Sequence, residues 1–160
     1  MHERDLKSHA VLLQFDYDGR TFMEVDRRSE AMKVVASDPT RGYEGHSGFW
    51  YEVQNAAGDT LYRRITHDPT FPYREVSSPE GTMTRVSAPD GKRTIEVIVP
   101  DIAEGEHVVL FAPEHPAANT IGSFAQERSR QREPRVGTRA SREVARFALR
   151  TNGRRLENVP

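Results

Sequence analysis

Cysteine is absent from all 160 residues, which excludes a disulfide framework, thiolate catalysis and cysteine-ligated zinc at once. Long hydrophobic runs are missing too. The longest, residues 10–13 and 108–112, fall well short of the ~18 residues that a membrane-spanning helix needs. The opening Met-His-Glu-Arg-Asp-Leu-Lys mixes both charge signs and is followed by too little apolar sequence for an export signal, so a cytoplasmic location is expected and no membrane association. Neither Gly-x-x-x-x-Gly-Lys-Ser/Thr nor Gly-x-Gly-x-x-Gly occurs, which leaves phosphate-loop nucleotide binding without support. Ser47 and Ser123 stand beside glycines but outside any Gly-x-Ser-x-Gly elbow. Lysine is scarce: Lys7, Lys33 and Lys92 face 20 arginines, a bias that GC-rich coding explains.

The net charge of −1 conceals a division. Residues 1–113 hold 13 Lys+Arg and 19 Asp+Glu, a net −6, whereas residues 114–160 hold 10 Arg and 5 Glu, a net +5. An acidic body carries a basic C-terminal region. We therefore divide the chain into a β domain over residues 1–113 and a basic arm over residues 114–160.

In the first part, apolar residues alternate with polar ones between turn signals spaced every 8–12 residues or so, the pattern of an antiparallel sandwich or barrel. Residues 9–17 put Val11, Leu13, Phe15 and Tyr17 on one face, and Asp18-Gly19 supplies the turn into a return strand over residues 20–27. Further strands are predicted over residues 31–36, 49–54, 60–66, 74–76, 82–87, 94–99 and 108–111. Residues 37–48 read as a loop, rich in turn formers, and the two prolines of residues 67–73 as a crossover. Seven to eight short strands without helical periodicity predict an all-β, immunoglobulin-like antiparallel sandwich, with Trp50 as its core anchor. That is an architecture, not a named family.

Beyond residue 114 the pattern changes. Residues 116–134 hold little apolar sequence beyond Ile121 and Phe124 and read as an irregular arm. Residues 138–151 predict a short amphipathic helix: Thr138 as its cap, Asn152-Gly153 as its stop, and Ala140, Val144, Phe147 and Ala148 on one side. Arg139, Arg142, Arg146 and Arg150 then form a basic stripe on another side, with Arg128, Arg130, Arg132 and Arg135 upstream and Arg154-Arg155 downstream.

Candidate chemistry is sparse. His67, Asp68 and His46, with His107 and Glu52 elsewhere, contain the residue types of an open zinc site, but no spacing puts two ligands on one element, and Asp68 equally caps a local turn. Asp16-Tyr17-Asp18-Gly19 lacks the later ligands of a calcium loop and reads as a hairpin turn. The aromatic set Phe49, Trp50, Tyr51, Tyr62, Phe71 and Tyr73 is assigned mainly to the core, and Arg63-Arg64 to a solvated strand face with one cross-strand ion pair.

These features predict a non-catalytic protein-interaction or adaptor module without cofactor, catalytic residues or metal. A protein partner or a second copy binds through Arg139, Arg142, Arg146, Arg150, Val144 and Phe147. The alternative is sequence-independent nucleic-acid binding through the arginine-rich arm, with steep salt dependence. A metal-assisted hydrolase built on His67, Asp68 and His46 ranks last.

Overall fold

The computed structural model of the chain describes residues 9–71, 73–77, 79–81, 83–87, 93–114 and 140–150. Nine strands appear among them: β1 (His9–Tyr17), β2 (Phe22–Ala31), β3 (Phe49–Gln54), β4 (Thr60–Thr66), β5 (Tyr73–Ser77), β6 (Met83–Ser87), β7 (Arg93–Pro100), β8 (His107–Ala112) and β9 (Arg142–Ala148). They form a three-stranded sheet ordered β2-β1-β7, a four-stranded sheet ordered β4-β3-β8-β9 and the small hairpin β5-β6, with every pairing antiparallel. The architecture is all-β and sandwich-like. No helix of the described residues is long and apolar enough to cross a membrane.

Period-two burial explains the two sheets. Leu13 and Phe15 of β1 and Val97 and Val99 of β7 face Tyr51 and Val53 of β3, Tyr62 of β4, and Val108 and Leu110 of β8 in one buried cluster. The Tyr51 hydroxyl reaches across to the carbonyl of Ile98 at 3.2 Å, so this buried phenol has its partner. The β1–β2 turn forms as predicted. Gly19 takes a φ of 96°, and Asp18 Oδ1 accepts from the amides of Arg20 and Thr21, both at 2.8 Å.

Three sequence expectations need correction. First, β2 runs ten residues to Ala31, and residues 32–48 form no strand, so the segment expected over 31–36 is the end of β2 plus irregular chain. That chain has its own task. The Asp38 amide donates to the carbonyl of Arg63 at 2.9 Å, the Arg63 amide to Ser37 Oγ at 3.0 Å and the Ile65 amide to Asp38 Oδ2 at 2.8 Å, which occupies the outer edge of β4.

Second, Trp50 is buried but lies outside the core between the sheets. It sits on the opposite face of β3, stacked on Phe111 at 5.1 Å and meeting the edge of Tyr43 at 4.8 Å.

Third, the helix expected over residues 138–151 does not form across its described part: residues 142–148 are strand β9, paired with β8. Both periods can be read in this segment. Ala145, Phe147 and Leu149 alternate with Arg146, Ala148 and Arg150, and all three of the former pack against the core. Phe147 lies 4.5 Å from Phe15. A helix of about 13 residues is marginal by itself, whereas the open edge of β8 offers unpaired backbone groups and the core offers a slot for the phenyl ring. A bulge between Leu110 and Phe111 leaves Val144 over as the extra residue, and it is exposed.

Side-chain ties fasten β9 at both ends. The Ser141 amide and hydroxyl donate to the carbonyls of His46 and Gly48 at 2.8 and 2.6 Å. Arg27 of β2 donates to the carbonyls of Ala148 and Leu149 at 2.7 and 2.8 Å while pairing with Glu24 at 2.7 Å. The guanidinium thus links an edge strand of each sheet.

Candidate interaction surface

The strand assignment disperses the predicted basic stripe. Arg139 lies outside the described residues. Arg142 is exposed opposite Ala112. Arg146, opposite Val109, makes a two-pronged pair with Glu143 at 2.9 and 2.8 Å. That pair holds the Glu143 carboxyl below its ordinary pKa, chiefly through hydrogen bonds from Arg146, and raises Arg146. Arg150 is bound back to the sandwich, donating to the carbonyls of Gly105 and Ile102 at 3.2 and 3.0 Å, with Asp101 3.7 Å away. Phe147 faces inward and Val144 outward. The five described residues share a segment but not a face. The upstream and downstream arginines lie outside the described residues.

The outer face of the larger sheet holds the most buried charges. Trp50, Glu52 and Gln54 recur at every second residue of β3, and register sets Glu52 opposite Arg63 and Gln54 opposite Thr60. Glu52 Oε1 accepts from Trp50 Nε1 at 3.0 Å, from Arg63 Nε at 2.9 Å and from Arg63 Nη2; Oε2 accepts from Gln54 Nε2 and Thr60 Oγ1, both at 2.8 Å. Arg63 gives its remaining prong to the carbonyl of Pro39 at 2.7 Å and lies 4.6 Å from the centre of the Tyr43 ring. Glu52 is only 3% exposed and Arg63 6%. Burial raises the carboxyl's pKa, but hydrogen bonds from Gln54, Arg63 and Thr60 outweigh it, and the group stays below its ordinary value. With five donors on two oxygens, Glu52 has no free lone-pair direction for a substrate or metal. The network fastens the 37–48 loop to the sheet. Its signal in the sequence is the alternation Trp-x-Glu-x-Gln; the single cross-strand ion pair expected for Arg63 is there, but buried, not solvated.

The residues of the last-ranked metal reading are not assembled. His46 stacks on Tyr43 at 4.5 Å, while Asp68 Oδ1 accepts from the Thr70 amide at 2.8 Å and from its hydroxyl at 2.6 Å. Among the described residues no three His, Asp or Glu side chains stand together as a metal would require.

The outer face of the smaller sheet contrasts with all of this. Register aligns Glu30, Ala10 and Pro100 in one row, Arg28, Leu12 and Ile98 in the next, then Asp26, Gln14 and Glu96, and finally Asp16 beside Met23 and Thr94. Four carboxylates thus share a face with one guanidinium. Arg28 stands 3.3 Å from Glu96, 3.6 Å from Asp26 and 3.8 Å from Glu30. All four of these side chains are about half exposed. Sequence reading missed this face because its charges come from three strands. Comparison with family models, curated proteins and solved structures finds no match to this chain.

Proposed function

We propose that this chain is a non-catalytic protein-interaction module of immunoglobulin-like, cytoplasmic type, whose arginine-rich C-terminal region engages an acidic protein surface. The observation that carries this is the division of charge, −6 over residues 1–113 against +5 over residues 114–160, on a chain whose C-terminal region is tied to the sandwich through β9. Opposite patches steer and select partners more than they strengthen binding. The immunoglobulin-like part of the proposal is supported by the order β4-β3-β8-β9, two pairs of consecutive strands side by side, facing a sheet in which β1 pairs with the distant β7.

The test uses the full chain and two anionic probes, poly-L-glutamate and a duplex DNA of equal charge, at low and physiological salt. Binding to poly-L-glutamate that persists at physiological salt and is lost in an Arg128→Glu, Arg130→Glu, Arg132→Glu variant is expected. DNA binding that exceeds it and falls steeply with salt would favour the nucleic-acid alternative. Binding to neither probe would overturn the proposal.

A further inference from the structure

We infer that the acidic outer face of the smaller sheet is the docking surface for the arginine-rich segment, residues 126–139, of a second copy of this chain. The inference deepens the interaction-module reading and rests on it. Three observations converge.

The first is an unbalanced charge on a regular surface. Asp26, Glu30 and Glu96 surround Arg28, with Asp16 two rows further along the face, and the three ion pairs of Arg28 are all longer than 3.2 Å, whereas the Arg27–Glu24 and Arg146–Glu143 pairs close to 2.7 and 2.8 Å. One guanidinium divided among three carboxylates leaves each of them with acceptor capacity. Arg28 shares its row with Leu12 and Ile98, so the face has an apolar row between its acidic ones.

The second is complementary charge at a matching step. Residues 126–139 carry five arginines and two glutamates. Arg128, Arg130 and Arg132 recur at every second residue, and an extended chain sets such residues on one side about 7 Å apart. Glu30, Arg28 and Asp26 lie along β2 at the same step. An extended segment laid along β2 therefore sets Arg128 and Arg132 at the spacing of Glu30 and the Asp26–Glu96 row, with planar guanidiniums suited to bidentate carboxylate contacts, while Arg130 falls beside Arg28 between them.

The third is where the segment is rooted. Its chain leaves the four-stranded sheet after β8 and returns to that sheet at β9, while the acidic face is turned away from that sheet. Both tethers are on the far layer, which favours the face of a neighbouring molecule over the chain's own. Reciprocal exchange of segments closes as a two-fold dimer.

The experiment is a charge swap read by sedimentation and size-exclusion chromatography of the full chain. The face variant combines Asp26→Lys, Glu30→Lys and Glu96→Lys; the segment variant combines Arg128→Glu, Arg130→Glu and Arg132→Glu. Wild type is expected to dimerise, and each variant alone to weaken association by about tenfold or more through like-charge contact. An equimolar mixture of the two variants is expected to restore the dimer, because both contacts in the mixed pair are again complementary. Rescue also shows that both variants are folded. A monomeric wild type, a face variant that associates like wild type, or a mixture that stays monomeric would overturn the inference. Poly-L-glutamate binding by wild type in those cases would leave the interaction-module reading standing.

Discussion

The two sheets each carry charge on their outer faces, and they treat it in opposite ways. On the larger sheet one carboxylate and one guanidinium are sealed under the 37–48 loop, the carboxylate accepting five hydrogen bonds, and Glu52 is 3% exposed. On the smaller sheet three carboxylates share Arg28 at 3.3–3.8 Å in the open. A buried pair is costly to break because the surviving charge stays desolvated, whereas an exposed pair is exchanged for water at little cost. The first arrangement therefore fixes local structure, and the second leaves charge available to a partner.

Substitutions can test that difference, beginning with the largest effect. Arg63→Ala should destabilise the fold by about 3–5 kcal/mol in denaturant unfolding, since it strands the Glu52 carboxylate. A loss under about 1 kcal/mol would mean that the loop does not seal the pair. Phe147→Ala should cost about 2–3 kcal/mol, below the ~3–5 of a fully buried phenyl ring. Val144→Ala, its neighbour on the predicted helix face, should stay within about 0.5 kcal/mol, as exposed positions do. Equal costs at the two sites would argue for a helix docked through both. Gly105→Ala should cost about 1–3 kcal/mol by overpacking. Its Cβ would come 2.8 Å from Val53 Cγ1 and 3.1 Å from the Ile102 carbonyl, and the second of these is backbone.

Acid separates the two faces more finely. Because the Glu52 pKa is held below its ordinary 4.5 in the folded protein, its ionisation adds stability that is present above about that pH and is lost as pH falls through the lower folded value. Thermal melts across this range should show less acid dependence in Glu52→Gln than in wild type; identical slopes would contradict the assignment. Smallest of all, Arg28→Ala should change stability by less than about 1 kcal/mol. A larger loss would show that the open face acts as a structural network after all.

Legibility in the sequence followed the range of the interactions. The strands β1, β3, β4, β7 and β8 were readable because alternation is a local property, and the Asp18-Gly19 turn because its hydrogen bonds span three residues. β9 was not, since Ala145, Phe147 and Leu149 satisfy a strand period while Ala140, Val144, Phe147 and Ala148 satisfy a helical one. Only the vacant edge of β8 and the ring of Phe15 decide between them. Trp50 was readable as buried but not as to side, because the Phe-Trp-Tyr run of β3 offers aromatic residues to both faces. The Glu52 network left a trace in its two-residue spacing, but its partner Arg63 lies across a hairpin. The acidic face left none, for nothing near Arg28 in the chain announces Glu96.

Local chemistry alone settled that this chain builds antiparallel strands, that it does so without cysteine, and that its negative and positive charges are segregated along its length. Tertiary structure decided which charges are sealed and which stand open, and which of two periods the last described segment obeys. Alternation and turn preference act between residues a few positions apart, whereas burial and charge pairing depend on strand register and on the face each strand turns outward. Those are fixed only when distant segments meet.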